Sequence, residues 1–132
     1  MQDIETSQDI KYLVDDFYEK ALKDDQIGIF FTEIAEINLE KHLPIMYAFW
    51  ESILLKNHAY RRNAFLPHMD LHRKKKMTRE HFERWTYLFN NTVDEHFTGA
   101  NAETVKERAT QIAQMMHHKI TQVDAIECNA TK

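Results

Sequence analysis

Apolar residues recur at three- and four-residue spacing along four stretches of the chain, and each stretch predicts a helix with one face turned to a core. The first carries Ile10, Leu13, Val14, Phe17, Ala21 and Leu22, with Ser7 placed to cap it and Asp9 in its first turn. Tyr18 follows Phe17 at the edge of the stripe, where a ring can be buried while its hydroxyl reaches into a cavity. Asp24-Asp25-Gln26 ends this helix. Ile27-Gly28-Ile29-Phe30-Phe31 then reads as a short apolar turn whose glycine is free to adopt positive φ.

From about Asn38 a second helix puts Leu39, Leu43, Met46, Trp50 and Ile53 on one face, with His42, Met46 and Phe49 along an adjoining edge. Proline is most comfortable in a first turn, so Pro44 predicts a regular start near Lys41, with His42 projecting from the helix start. Residues 57–63 read as a loop, Phe65 to Leu71 as a helical turn or two around His68, and the following stretch as a basic loop to Met77. Thr78 is placed to cap a third long helix in which Phe82, Trp85, Phe89, Val93 and Phe97 share a face. Asn101 is placed to cap a last one bearing Val105, Ala109, Ile112, Met116 and Ile120. The pattern fades beyond Gln122, so residues from about 121 to 132 are expected to form a tail.

Composition narrows the class. Two glycines and two prolines among 132 residues nearly exclude tight hairpins and favour an all-α fold, and the length fits a single domain over 1–132. One cysteine, Cys128, leaves no internal disulfide and suits a reducing cytoplasm. No signal-like segment opens the sequence, and no run approaches the roughly 18 apolar residues of a membrane span. The net charge of −4 gives no footprint for nucleic acid, and Arg73-Lys74-Lys75-Lys76 is too short a basic run to argue for one.

The candidate chemistry centres on His68, which stands among apolar neighbours in Phe65-Leu66-Pro67-His68-Met69-Asp70-Leu71. An imidazole can give one nitrogen to a metal while a carbonyl holds its other N–H. A histidine beside leucine and methionine is also an ordinary core residue, and spacing alone leaves both readings open. None of the eight histidines has a glutamate three residues before it, which removes the di-iron four-helix pattern. His68 and His72 stand at i and i+4, but no His-Glu-x-x-His motif or nearby cysteine completes a zinc site. No glycine elbow surrounds a serine, and Cys128 lies in the weakly patterned end, so nucleophilic catalysis has no support. A haem site asks for less: one histidine, an apolar slot and a few polar groups on the opposite face.

Several stretches, in this order and spacing, carry a resemblance that covers most of the chain. They are Asp16-Phe17-Tyr18, Phe30-Phe31, His42-Leu43-Pro44-Ile45-Met46-Tyr47-Ala48-Phe49-Trp50, the isolated His68, His81-Phe82-Glu83-Arg84-Trp85 with Leu88-Phe89, and Thr92-Val93-Asp94-Glu95-His96-Phe97. In these the sequence resembles the group III truncated haemoglobins, a family of compact two-over-two helical globins. The resemblance implies haem b with His68 as proximal iron ligand, Tyr18 and Trp85 as a distal hydrogen-bonding pair, and His42 at the distal gate, with a sixth iron ligand or a solvent-facing helix-start residue as the other readings of His42. It further implies Phe31 against the porphyrin, with Met46 and Phe17 lining the ligand cavity; Arg61 and Arg62, just before the proximal segment, are candidates to pair with the haem propionates, with a solvated surface position the competing reading for at least one of them. The basic loop from Arg73 to Lys76 departs from the family pattern and makes His72 the competitor for iron, though its place beside that loop predicts a solvated side chain.

The function so implied is binding of O2, and of NO, CO or cyanide, at a polar distal pocket with slow release. NO dioxygenation or peroxidase-like chemistry, with a reductase as electron source, fits slow release better than O2 delivery does. A monomer is expected. The alternative is a small helical interaction or sensor module without haem.

Overall fold

The computed structural model describes residues 1–55 and 65–130. Its helices are α1 (Ser7–Lys23), α2 (Leu39–Leu54), α3 (Phe65–Lys74), α4 (Arg79–His96) and α5 (Ala100–Ala130), with a π-helical turn over Phe30–Ile34. Among the described residues no helix is long and apolar enough to cross a membrane. The apolar stripes read from the sequence are the faces that meet: α1 lies against α2 and α4, α4 against α5, and α3 against α5 and the π-helical turn.

The helix ends show where local signals yield to contacts from elsewhere. Thr6, one residue before Ser7, caps α1, with its Oγ1 accepting from the Asp9 N–H at 3.2 Å. Asp9 returns a carboxylate oxygen to the Thr6 N–H at 3.1 Å, a reciprocal arrangement that Ser7 could not make with Asp9 only two residues away. Helix α2 begins at Leu39, so Pro44 lies inside it rather than in its first turn and leaves one carbonyl without its usual donor. Thr78 caps α4 as the sequence predicts, with the Thr78 N–H donating to His81 Nδ1 at 2.9 Å.

Asn101 does not cap α5. That place is taken by Asp3, whose carboxylate accepts from the Asn101 and Ala102 N–H groups at 2.9 and 2.8 Å. Burial raises the Asp3 pKa, but these bonds and one from the Ile4 N–H outweigh it, and the net shift is downward. Gly99, at φ +136°, makes the approach possible, since a Cβ there would stand 2.5 Å from Asp3 Cγ. Gly28 is needed for a different reason from the positive φ expected of it: a Cβ would meet the Leu22 carbonyl oxygen at 2.8 Å.

Two cores form. The larger joins α1, α2, α4 and the start of α5 around Leu13, Val14, Phe17, Trp50, Phe89, Val93 and Val105. The smaller gathers Met69, Phe82, Ala113, Met116 and Ile120, with Val123 against it. That second core explains why the tail expected from residue 121 is instead helix, continuing to Ala130: Val123 and Asp124 are half-buried and have partners.

Candidate functional site

Helix α1 presents Tyr18 from the edge of its buried stripe, and α2 presents His42 opposite it. Tyr18 Oη and His42 Nε2 lie 2.9 Å apart, and the two rings meet edge to face at 5.2 Å. Tyr18 is 5% exposed, and burial pushes its pKa far above the ordinary tyrosine value, so the hydroxyl keeps its proton. His42 is half-buried and lies at the start of α2, as its fourth residue. Its pKa is lowered, first by burial and then by the positive charge of His68. Burial thus favours the neutral form of His42. Phe31, in the π-helical turn, sets its ring edge to face against Tyr18 at 5.5 Å.

Behind Tyr18 stands an aromatic column. Trp50 and Phe89 stack at 4.8 Å and 18°, and Phe89 and Trp85 stack at 5.3 Å and 7°. Phe17 sets its ring edge against Tyr18, Trp85 and Phe89 at 5.2, 5.7 and 5.3 Å. Tyr18 and Trp85 thus lean on one ring, Phe17, which is 2% exposed and belongs to the core. Trp85 itself is half-buried. Arg84, one residue before it, donates from Nε and Nη2 to Asp24 Oδ1 at 2.9 and 2.8 Å, which ties α4 to the end of α1. Sequence reasoning missed that tie, because nothing local to Asp24 or Arg84 marks a partner 60 residues away.

Helix α2 has an unusual balance. Leu39, Leu43, Ile45, Met46, Tyr47, Phe49, Trp50, Ile53 and Leu54 make it strongly apolar, yet Trp50 alone among them is buried. Met46 is one of the half-buried group and touches the larger core. His68 lies on α3, half-buried, next to the buried Met69. Arg61 and Arg62 lie outside the described residues.

His72 is not solvated as its basic neighbours imply. It is 7% exposed, its Nε2 lies 2.8 and 3.0 Å from the two carboxylate oxygens of Asp124, and its Nδ1 accepts from the Met77 N–H at 2.9 Å. Charged neighbours in sequence point outward from α3 while His72 points at α5, and with both nitrogens committed it is a poor competitor for a metal. His81 is likewise engaged at the α4 cap, with its ring against Phe30 at 4.8 Å. His96, with Asp16 and Glu95, forms a cluster whose ligand atoms lie within 4.8 Å of one another. There Lys20 Nζ stands 2.5 Å from Glu95 and 3.2 Å from Asp16, so an ammonium already supplies the cation. The adjoining depression of about 570 Å³, lined by residues that include Tyr12, Asp15 and His96, is open to solvent, and neither Tyr18 nor His42 lines it.

A family model described as bacterial-like globin matches residues 2–121. Among solved structures, a group III truncated hemoglobin from Campylobacter jejuni is similar to this chain, at 26% sequence identity and a TM-score of 0.78. The match covers 91% of this chain and 95% of that one, and the all-α fold described above is the truncated-globin fold. A comparison with curated proteins finds no significant match.

Proposed function

Since the chain belongs to the bacterial-like globin family, we propose that it holds haem b on His68 and takes up O2 and related diatomic ligands on the side of Tyr18, His42 and Trp85. Haem binding comes with family membership; the iron ligand, the distal set and the haem type are the proposal. The observation that carries it is the Tyr18–His42 bond, which sets two polar groups against each other beside the apolar rings of Phe17 and Phe31.

The residues present fit the group. Among the described residues helix α3 packs on α5 and the π-helical turn, and most apolar side chains of α2 stay half-covered. A flat apolar macrocycle is the kind of body that completes such a wall. His68 offers the imidazole, Phe31 and Met46 are placed to line the slot, and Phe17 supports the distal pair from behind.

Bound there, haem iron supplies an open coordination position for a diatomic ligand. The protein's part is to decide which protons face that position. Tyr18 keeps its hydroxyl proton at any physiological pH, and Trp85 can only donate. A neutral His42 with its proton on Nδ1 accepts the Tyr18 proton at Nε2, so His42 competes with an incoming ligand for the same donor. Outward swing of His42 would free the tyrosine to turn toward the ligand, which is how a gate and a hydrogen bond become one device. Slow ligand release suits NO dioxygenation or peroxidase-like chemistry, with a reductase supplying electrons, better than O2 delivery.

Absorption spectra of the purified protein in ferric, ferrous and CO-bound forms test this reading. A strong Soret band that His68→Ala weakens or abolishes is the expected result. A colourless protein that takes up no added haemin would leave a haem-free helical module instead.

A further inference from the structure

We propose that Asp124 holds the helix that carries His68 in its working orientation through His72, making His72 and Asp124 positioning residues for the iron ligand; the inference rests on His68 being that ligand. His72 lies one turn beyond His68 on α3, a rotation of only about 40° around the helix. Whatever fixes the His72 side chain therefore fixes the direction in which α3 aims His68.

Both ends of the His72 ring are fixed. Nδ1 accepts from the Met77 N–H at 2.9 Å, so the ring proton resides on Nε2, which donates to the Asp124 carboxylate at 2.8 and 3.0 Å. The His72 ring is 7% exposed while the Asp124 side chain is 43% exposed, and a hydrogen bond to a charged acceptor is stronger than one between neutral groups. The first contact also pins the far end of the exposed basic stretch from Arg73 to Lys76. Beside the polar clamp, Met69 sits at 3% exposure in the smaller core with Met116 and Ile120. Helix α3 is thus held against α5 by one apolar and one polar contact on either side of a single turn.

The family model ends at residue 121, and Asp124 lies beyond it, on the turns with which α5 continues to Ala130. From those turns the Asp124 carboxylate reaches back 52 positions along the chain to His72, on the helix that carries His68.

The test compares Asp124→Ala, Asp124→Asn and His72→Ala with Asp70→Asn, a change on the exposed side of α3, in the haem-loaded full-length protein. The readouts are the iron–histidine stretching band of the ferrous form, the rate of haem transfer to an excess of an acceptor apoglobin, and amide hydrogen exchange along α3. Asp124→Ala and His72→Ala should shift or broaden the band, weaken haem retention by roughly tenfold, and speed exchange in α3. Asp124→Asn keeps an oxygen that can accept from Nε2 and should restore most of the band, and Asp70→Asn should leave all three readouts unchanged. An unaltered band and unaltered haem loss in Asp124→Ala and Asp124→Asn would overturn the clamp while leaving His68 as ligand. Retention of the native haem spectrum by His68→Ala would overturn the ligand assignment itself, and the clamp with it.

Discussion

Tyr18 on α1 and His42 on α2 share a 2.9 Å hydrogen bond, and their rings meet edge to face at 5.2 Å. The bond gives the two residues opposite effects on a ligand. Tyr18→Phe removes a donor, and a hydrogen bond to a group that takes on negative charge is worth about 1.5–3 kcal/mol. The O2 dissociation rate should rise by roughly ten- to a hundredfold. His42→Leu removes the competitor for that donor and should slow release, by at most about tenfold, the worth of one neutral hydrogen bond. Stopped-flow measurement of both variants decides the matter, because a pure steric gate predicts faster exchange in His42→Leu.

His42 also makes stability depend on pH. Burial, and then the charge of His68, lower its pKa from an ordinary value of 6.5. As the pH falls through about 6.5 the unfolded chain takes up a proton that the folded chain still refuses. The stability tied to a neutral His42 is therefore complete above that pH, declines below it, and is lost once the pH has fallen through the lower folded value. Urea midpoints of the haem-free protein should be lower at about pH 5 than at about pH 7.5. His42→Gln should narrow the gap, and an identical gap in that variant would assign the effect to other groups.

The Asp3 cap predicts a coupled pair of variants. Gly99 combines φ +136° with a Cβ position 2.5 Å from Asp3 Cγ, so Gly99→Ala should cost about 1–3 kcal/mol of stability. Loss of the cap in Asp3→Ala should cost about 1 kcal/mol. Because the alanine at 99 would already displace the cap, the double variant should cost less than the two single changes together. Thermal unfolding of the three proteins gives the comparison, and strict additivity would mean that Asp3 and Gly99 act apart.

What could be read in advance follows the range of the interactions. The stripes bearing Phe17, Trp50, Phe89 and Val105 follow from periodicity, because one face of each helix must meet another helix whatever the partner. The nearness of Tyr18 and His42 came from resemblance rather than spacing, since two edge residues on separate helices carry no mark of the contact between them. The Asp3 cap, the Asp24–Arg84 pair and the His72–Asp124 clamp join residues 98, 60 and 52 positions apart. Each was invisible because local chemistry pointed elsewhere: Asn101 looks like a cap, and His72 sits beside four cations. The helical continuation to Ala130 escaped for the same reason, since its support comes from α3 and not from its own pattern.

The aromatic column ties the distal side to the core and predicts how a change far from the ligand reaches it. Phe89 is 1% exposed and lies between Trp50 and Trp85, with both stacked on it at 4.8 and 5.3 Å. Phe89→Ala should destabilise the fold by about 3–5 kcal/mol, as expected for an emptied core position that cannot collapse. Phe89→Leu refills most of the volume without a flat face, so it should cost less stability while leaving the Trp85 indole less firmly oriented. In that variant O2 release should quicken while haem retention stays near that of the parent, because His68 is held from α3 and α5 and not from this column. Equal losses of haem and of ligand affinity in Phe89→Leu would mean that the column supports the whole pocket rather than its distal wall.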